Sequence, residues 1–451
     1  MKKIILSVAT MLSVAIVNAQ TNPAITSWLQ NTSVKGRHYV SGNSTAINDT
    51  LLTANVQLVQ YSGTFAYAST QGIPTYVVGP YLDNNPNQAG NQNAIFKFPL
   101  APVQNTGTPV STTGGNIGVF VNGVAMFDYR DGVSWKNSTN AYAGGPLGGT
   151  GDGVWNRDAI PAERAGFDCA KGHPAGTNYH HHQNPSAFKL DLNVLSTVCN
   201  LYDADGLYAI DSTVHSPLIG FAYDGFPVYG AYGYKNSNGT GGIVRMKSSF
   251  SLRAITVRNT LYTGTAVTAG PNVSATYPLG KFKEDYQFTA PTTDDYLDYH
   301  NGRFCITPEY PSGIYCYFAT VDANWNAAYP YLIGPTYYGT KTAAKVTTVP
   351  SGVTTYAPIV GISSKELNIA QVTVFPNPSS ELIVVQLITM VKENITVELF
   401  DVTGNLADKT ILYQGSTIAY FDTKKLYSGQ YLVKISNGTE SITKKVMVIK
   451  N

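Results

Sequence analysis

The sequence predicts a mainly β protein: a large, loop-rich β domain followed by a small C-terminal immunoglobulin-like β-sandwich. Three observations carry that prediction. Only 13% of the 451 residues are charged, about half the roughly 25% usual for soluble domains. Glycine (42), proline (24) and tyrosine (31) are abundant, and short runs of β-branched and aromatic residues alternate with Gly, Pro and Asn turns. The length exceeds what one core usually organises, so at least two domains are expected. A helical bundle or coiled coil is excluded, because its outer faces need Glu, Lys and Ala that this chain lacks. An aromatic content of 12% with a net charge of +2 excludes intrinsic disorder.

The chain starts with Met1-Lys2-Lys3, an apolar run from Ile4 to Val17, and the small-residue site Val17-Asn18-Ala19. That is the pattern of a secretory signal peptide over residues 1–19, too short for a stable membrane span. Its removal leaves 28 basic and 28 acidic side chains. A neutral chain offers no electrostatic footprint for nucleic acid. No later run reaches 18 apolar residues, so no transmembrane anchor is expected in the mature chain. The expected route is export through the periplasm, to the cell surface or the medium.

Export permits disulfides among Cys169, Cys199, Cys305 and Cys316. A hairpin folded near Tyr310 places Cys305 opposite Cys316, leaving Cys169 to pair with Cys199. Free thiols and thiolate metal ligands are the competing readings.

Residues 20–69 read as an N-terminal extension packing on the main domain, with Val56–Tyr61 as an edge strand. Residues 70–340 form the main domain. Its strongest signals are two hairpins, Ile117–Phe127 around Asn122-Gly123 and Leu218–Tyr229 around Asp224-Gly225, where a two-residue type I′ turn is expected. The glycine-rich stretch 140–156 reads as irregular loop, and it lacks the strand-before, helix-after context of a phosphate-binding loop. Residues 341–368 read as linker. From 369 to 451, short alternating runs recur at Val372–Phe375, Leu382–Leu387, Ile395–Phe400, Ile418–Phe421, Tyr431–Ile435 and Lys444–Ile449, the spacing of a β-sandwich.

The chemistry-bearing signal is histidine. His180, His181 and His182 are consecutive. In a strand His180 and His182 share a face while His181 points away. A reversal around Gly176 brings His173 beside His180. Three imidazoles converging in this way suit a borderline metal such as zinc or copper. His215, just before a buried-looking strand, is a possible fourth ligand. Asp224 and Glu309 are further candidates, although a carboxylate at an Asp-Gly turn often only satisfies turn amides and one at a hairpin tip is often solvated. His38 and His300 are isolated and read as structural.

Two resemblances follow from ordered motifs. Gly72-Ile73-Pro74, Val121-Asn122-Gly123-Val124, Gly172-His173-Pro174, Tyr179–His182, His215–Gly230, Asn301–Phe304 and Thr307–Pro311 resemble the YHYH-domain family over about 70–340. The family motif reads Tyr-His-Tyr-His; here His181 replaces the second tyrosine, and Cys316 stands where the family pattern tends to have histidine. Val374–Ser379, Leu399–Gly404, Leu426–Tyr431 and Lys444–Val448 resemble the type A C-terminal sorting domain of the type IX secretion system. That likeness implies recognition by the secretion machinery and surface attachment or release.

Neither resemblance supplies a reaction, and no His-Glu-x-x-His, Gly-x-Ser-x-Gly or P-loop signature occurs. The leading expectation is an exported protein binding a transition metal through His173, His180, His182 and His215. The alternatives are a metal-assisted or carboxylate-based hydrolase of extracellular material, and a glycan- or surface-binding module suggested by the many tyrosines.

Overall fold

The computed structural model of the protein describes residues 22–40, 45–81, 87–186, 206–208, 210–357, 372–387, 394–414, 416–437 and 441–450. The expected signal segment and Cys199 lie outside the described residues. Two compact units, Met1–Ala357 and Pro358–Asn451, are each described by themselves.

Two large sheets dominate the first unit, with four smaller ones of two or three strands beside them among the described residues. An eight-stranded mixed sheet runs in spatial order His173–Ala175, Asn178–His181, Ala125–Phe127, Asn116–Phe120, Leu218–Ala222, Pro227–Tyr229, Ile314–Phe318 and Gly302–Cys305. A five-stranded sheet has the order Ala344–Val346, Ala94–Pro99, Phe65–Thr70, Val56–Tyr61 and Thr354–Thr355. Central strands such as Leu218–Ala222 are buried at every residue, so both faces are covered and the run reads as continuously apolar rather than alternating. Trp28, just after the short helix Pro23–Thr26, lies 5.3 Å from Phe98 of one sheet and 5.4 Å from Phe221 of the other. Burying a side chain such as Phe221 stabilises the fold by about 1.5–3 kcal/mol.

Both expected hairpins form, with a different turn. The Phe120 N–H donates to the Val124 carbonyl and the Gly123 N–H donates to the Phe120 carbonyl. The loop is therefore the three residues Val121-Asn122-Gly123, with Gly123 at φ +82°, a type I turn closed by a left-handed glycine. The neighbouring strand decides this: the Val121 N–H donates to the Ile219 carbonyl at 2.8 Å, which holds Val121 out of the hairpin ladder. The same bonding recurs at Ala222/Gly225/Phe226 and, in the second unit, at Asp401/Gly404/Asn405.

Other expectations are revised. The glycine-rich stretch holds a strand, Ala141–Gly144, paired with Arg130–Lys136. The Tyr142 and Trp135 rings lie 5.5 Å apart edge to face, a cross-strand aromatic pair that fixes the pairing despite the glycines. Within the stretch read as linker, Ala344–Val346 and Thr354–Thr355 complete the five-stranded sheet. Thr354–Thr355 pairs with Val56–Tyr61, so the latter is not the edge.

The expected Cys305–Cys316 bridge is absent: both are buried free thiols. Their strands do form a hairpin, but its register sets Cys305 opposite Ile314 and Cys316 opposite Arg303. As diagonal rather than directly opposite neighbours, the two thiols meet in a hydrogen bond instead of a disulfide. Cys169 is buried, and its expected partner Cys199 is outside the described residues.

The second unit is the expected small sandwich. Val372–Phe375, Leu382–Leu387 and Ile418–Asp422 face Leu406–Leu412, Ile395–Asp401, Gly429–Ser436 and Ser441–Val448 across a core that includes Ile383, Val397, Leu399, Phe421 and Val433. Leu406–Leu412 has no sequence signal because it is a largely exposed edge strand.

Candidate metal centre

The centre begins with a hairpin. His173–Ala175 and Asn178–His181 pair antiparallel, with His173 directly opposite His180. Gly176, at φ +60°, opens the intervening Gly176-Thr177 turn, a position that costs a residue with a Cβ. Alternation then sends Tyr179 and His181 to one face and His180 and His182 to the other.

Asp168 holds the far side of this hairpin. Its buried carboxylate accepts from the backbone N–H groups of Gly79, Ala170 and Gly172 and from the Tyr179 hydroxyl, at 2.8–3.0 Å. Burial pushes its pKa up to about 7, against the pull of those donors. His181 is engaged on the same side, with Nε2 2.6 Å from the Tyr76 hydroxyl and Nδ1 donating to the Lys171 carbonyl at 3.1 Å. Burial lowers its pKa to about 3.

On the other face the rings converge. His180 Nδ1–H donates to the Asn178 carbonyl at 2.9 Å and His182 Nδ1–H donates to the Asp128 carbonyl at 2.5 Å. Both bonds fix the tautomer and direct an Nε2 lone pair inwards, as the supporting contacts of metal-bound histidines do. The two Nε2 atoms are 3.1 Å apart. Glu163 Oε2 lies 3.0 Å from His182 Nε2 and 3.3 Å from His173 Nε2. One ligand atom from each of Glu163, His173, His180 and His182 falls within 4.8 Å of all the others.

Aromatic rings wall the cluster. Phe127 stacks on His180 with centroids 3.6 Å apart, and Phe167 meets His173 edge to face at 5.0 Å. Burial, followed by the neighbouring imidazoles, holds the His180 pKa well below the usual histidine range. Burial raises the Glu163 pKa, but the adjacent His182 and His173 imidazoles outweigh it and hold the carboxyl ionised.

Glu163 is the ligand candidate that the sequence did not show. It ends the short helix Ala159–Glu163, whose N-cap Asp158 accepts from the Ile160 N–H at 3.1 Å and from the Tyr331 hydroxyl at 2.7 Å. A lone Glu ten positions before His173 carries no local signal. The cluster lines a cavity of about 640 Å³, whose wall includes Arg130 and Asp131. Asp128 grips Arg130 through Nε at 2.6 Å and Nη2 at 2.9 Å, and Asp131 pairs with Arg157.

His215 stands apart from the cluster. Its Nδ1 donates to the Ser216 carbonyl at 2.7 Å and its ring packs on Tyr229 and Tyr234, so it is not a member of the cluster. The bond to the next residue's own carbonyl turns the ring into that aromatic nest. Asp224 also lies elsewhere, fully buried, accepting from the Tyr317 hydroxyl and the Gly339 N–H. Glu309 accepts from the Tyr229 hydroxyl at 2.7 Å. Both carboxylates serve neighbouring strands rather than the histidines.

The fold and the cluster define a two-domain β protein with a buried three-histidine, one-glutamate centre opening on a cavity. Residues 95–329 match the model of the family described as YHYH protein, more than half of the chain, and the chain belongs to that family. Residues 373–450 match the secretion system C-terminal sorting domain, which makes it a type IX-secreted protein of the cell surface or medium, recognised by the secretion machinery. No curated protein matched the chain. Among the described residues no helix is long and apolar enough to cross a membrane.

Proposed function

We propose that this exported protein binds one divalent transition metal, zinc or copper, through Nε2 of His173, His180 and His182 and a carboxylate oxygen of Glu163. One observation carries the reading. Two inward Nε2 atoms 3.1 Å apart, with a carboxylate oxygen 3.0 Å away, repel unless a shared proton or a metal cation sits among them. Ligand atoms at about 2.0–2.1 Å around a tetrahedral zinc are roughly 3.3 Å from each other, close to the observed spacings. The donor set of imidazole nitrogen and carboxylate oxygen suits these borderline metals.

The test is metal analysis of tag-free protein followed by zinc and copper titration of wild type and a His180→Ala/His182→Ala variant. Absence of bound metal, together with equal affinity in the two proteins, refutes the reading.

The cavity favours a second reading, metal-assisted hydrolysis. A bound metal would supply an activated water, and Asp128 already fixes the Arg130 guanidinium on the cavity wall. Ester, glycan and peptide substrates test it; activity that survives loss of His180 and His182 excludes this site. Passage through the periplasm after cleavage near Ala19 completes the proposed route. Deletion of residues 369–451 should trap the protein in the periplasm.

A further inference from the structure

A second cavity, of about 340 Å³, is separate in its lining from the metal centre. Its walls include Phe250, Tyr262, Tyr286, Tyr299 and Tyr329. Tyr286 and Tyr329 stack with centroids 4.1 Å apart and planes 7° off parallel, and Phe250 tilts against Tyr299 at 5.6 Å. Tyr262 is 43% exposed, and Phe250, Tyr286 and Tyr299 are half-buried. Tyr329 is buried in an aromatic core cluster against which Phe250 and Tyr286 pack, so the ring most open to a ligand is Tyr262, beside a largely aromatic wall of the kind that lines small-ligand pockets.

The polar groups narrow the ligand class. Lys283 Nζ lies 3.6 Å from Glu284 Oε1. Asn156 fixes the Glu284 carboxylate through its backbone N–H at 2.7 Å and its side-chain amide at 2.8 Å. The pair offers donors and acceptors while cancelling its own charge. An anionic ligand such as a nucleotide needs an uncompensated cation, and a lipid chain gains nothing from an ion pair at the wall. A neutral ring with apolar C–H faces and a hydroxyl edge satisfies both features. The volume is at the low end of the roughly 300–1,000 Å³ of small-ligand pockets, enough for the end of a sugar chain.

We propose that this aromatic cavity binds the terminal unit of a neutral oligosaccharide. The site is independent of the proposed metal, and secretion by the type IX route exposes it to extracellular polysaccharide.

The test is calorimetric titration of the mature full-length protein with cello-, xylo-, manno-, malto- and chito-oligosaccharides. One of these should bind saturably. Tyr262→Ala, which removes an exposed ring, should weaken binding about tenfold, the scale of one lost stacking contact. Lys283→Met, at a half-exposed position, provides a second variant if the first fails to fold. Binding should be unchanged by chelator and by His180→Ala/His182→Ala, which separates this site from the metal centre. No binding by any member at about 1 mM, or binding that survives both Tyr262→Ala and Lys283→Met, overturns the proposal. So does binding lost in the histidine variant instead.

Discussion

His180 Nε2 and His182 Nε2 face each other at 3.1 Å, each ring held by an Nδ1–H donated to a backbone carbonyl. Rotation of either ring would break its hydrogen bond to the backbone, so the converging geometry is built before any ligand arrives. Such preorganisation lowers the ordering cost of binding.

Glu163 is the first test of this arrangement. Glu163→Gln keeps the shape but removes the charge that faces His173 and His182. A contact to a charged group contributes about 1.5–3 kcal/mol, so zinc affinity should fall roughly 10–100-fold. Competition titration against a chromogenic chelator measures this. An unchanged affinity removes Glu163 from the coordination set.

Phe127 provides a subtler test. Its ring lies flat against His180, and Phe127→Leu retains apolar bulk without the flat face. Such ring pairs contribute about 0.5–1.5 kcal/mol, so metal affinity should drop several-fold, less than in Glu163→Gln. Isothermal titration of the two variants side by side ranks them, and the reverse order contradicts the assigned roles.

Asp168 should behave as scaffold. Asp168→Ala leaves three backbone N–H groups and the Tyr179 hydroxyl without their buried acceptor. Each such loss costs about 1–3 kcal/mol, so the unfolding free energy should fall by roughly 3 kcal/mol or more. Urea unfolding monitored by circular dichroism reports it. A loss below about 1 kcal/mol would show that the carboxylate is dispensable.

Asp224 gives a signed pH dependence. Burial pushes its folded pKa up to about 6, against about 3.9 in the unfolded chain. The folded state therefore holds the proton more tightly. The resulting stability is fully present below about pH 4 and is lost as pH rises through about 6. The melting-temperature advantage of wild type over Asp224→Asn should be larger at pH 4 than at pH 7. Scanning calorimetry at both pH values checks the sign, and a pH-independent difference counts against it.

Legibility in the sequence followed the range of the interaction. The second unit was readable almost strand by strand because each buried strand alternates locally, as in Ile395–Asp401; only the exposed edge Leu406–Leu412 was missed. The hairpin positions were readable from Asn122-Gly123 and Asp224-Gly225, whereas the turn type was not, because Val121 bonds to a strand nearly a hundred residues away. The cysteine hairpin was anticipated but its register was not. A two-residue offset leaves the local pattern unchanged while moving the sulfurs from opposite to diagonal.

By itself the sequence determined the β class, the sorting tail, and a His180/His182 pair on one strand face with His173 folded back beside it. Those features rest on stereochemistry within a few residues, where strand period and turn chemistry leave little choice. Only the tertiary structure decided that Glu163 joins the cluster and that His215 does not. Both outcomes depend on how distant segments dock, through the Asp158 cap and the aromatic core beneath the helix for one, and through the nest of Tyr229 and Tyr234 for the other. Docking of that kind is set by burial and sheet register summed over the whole unit, which no short stretch of chain encodes.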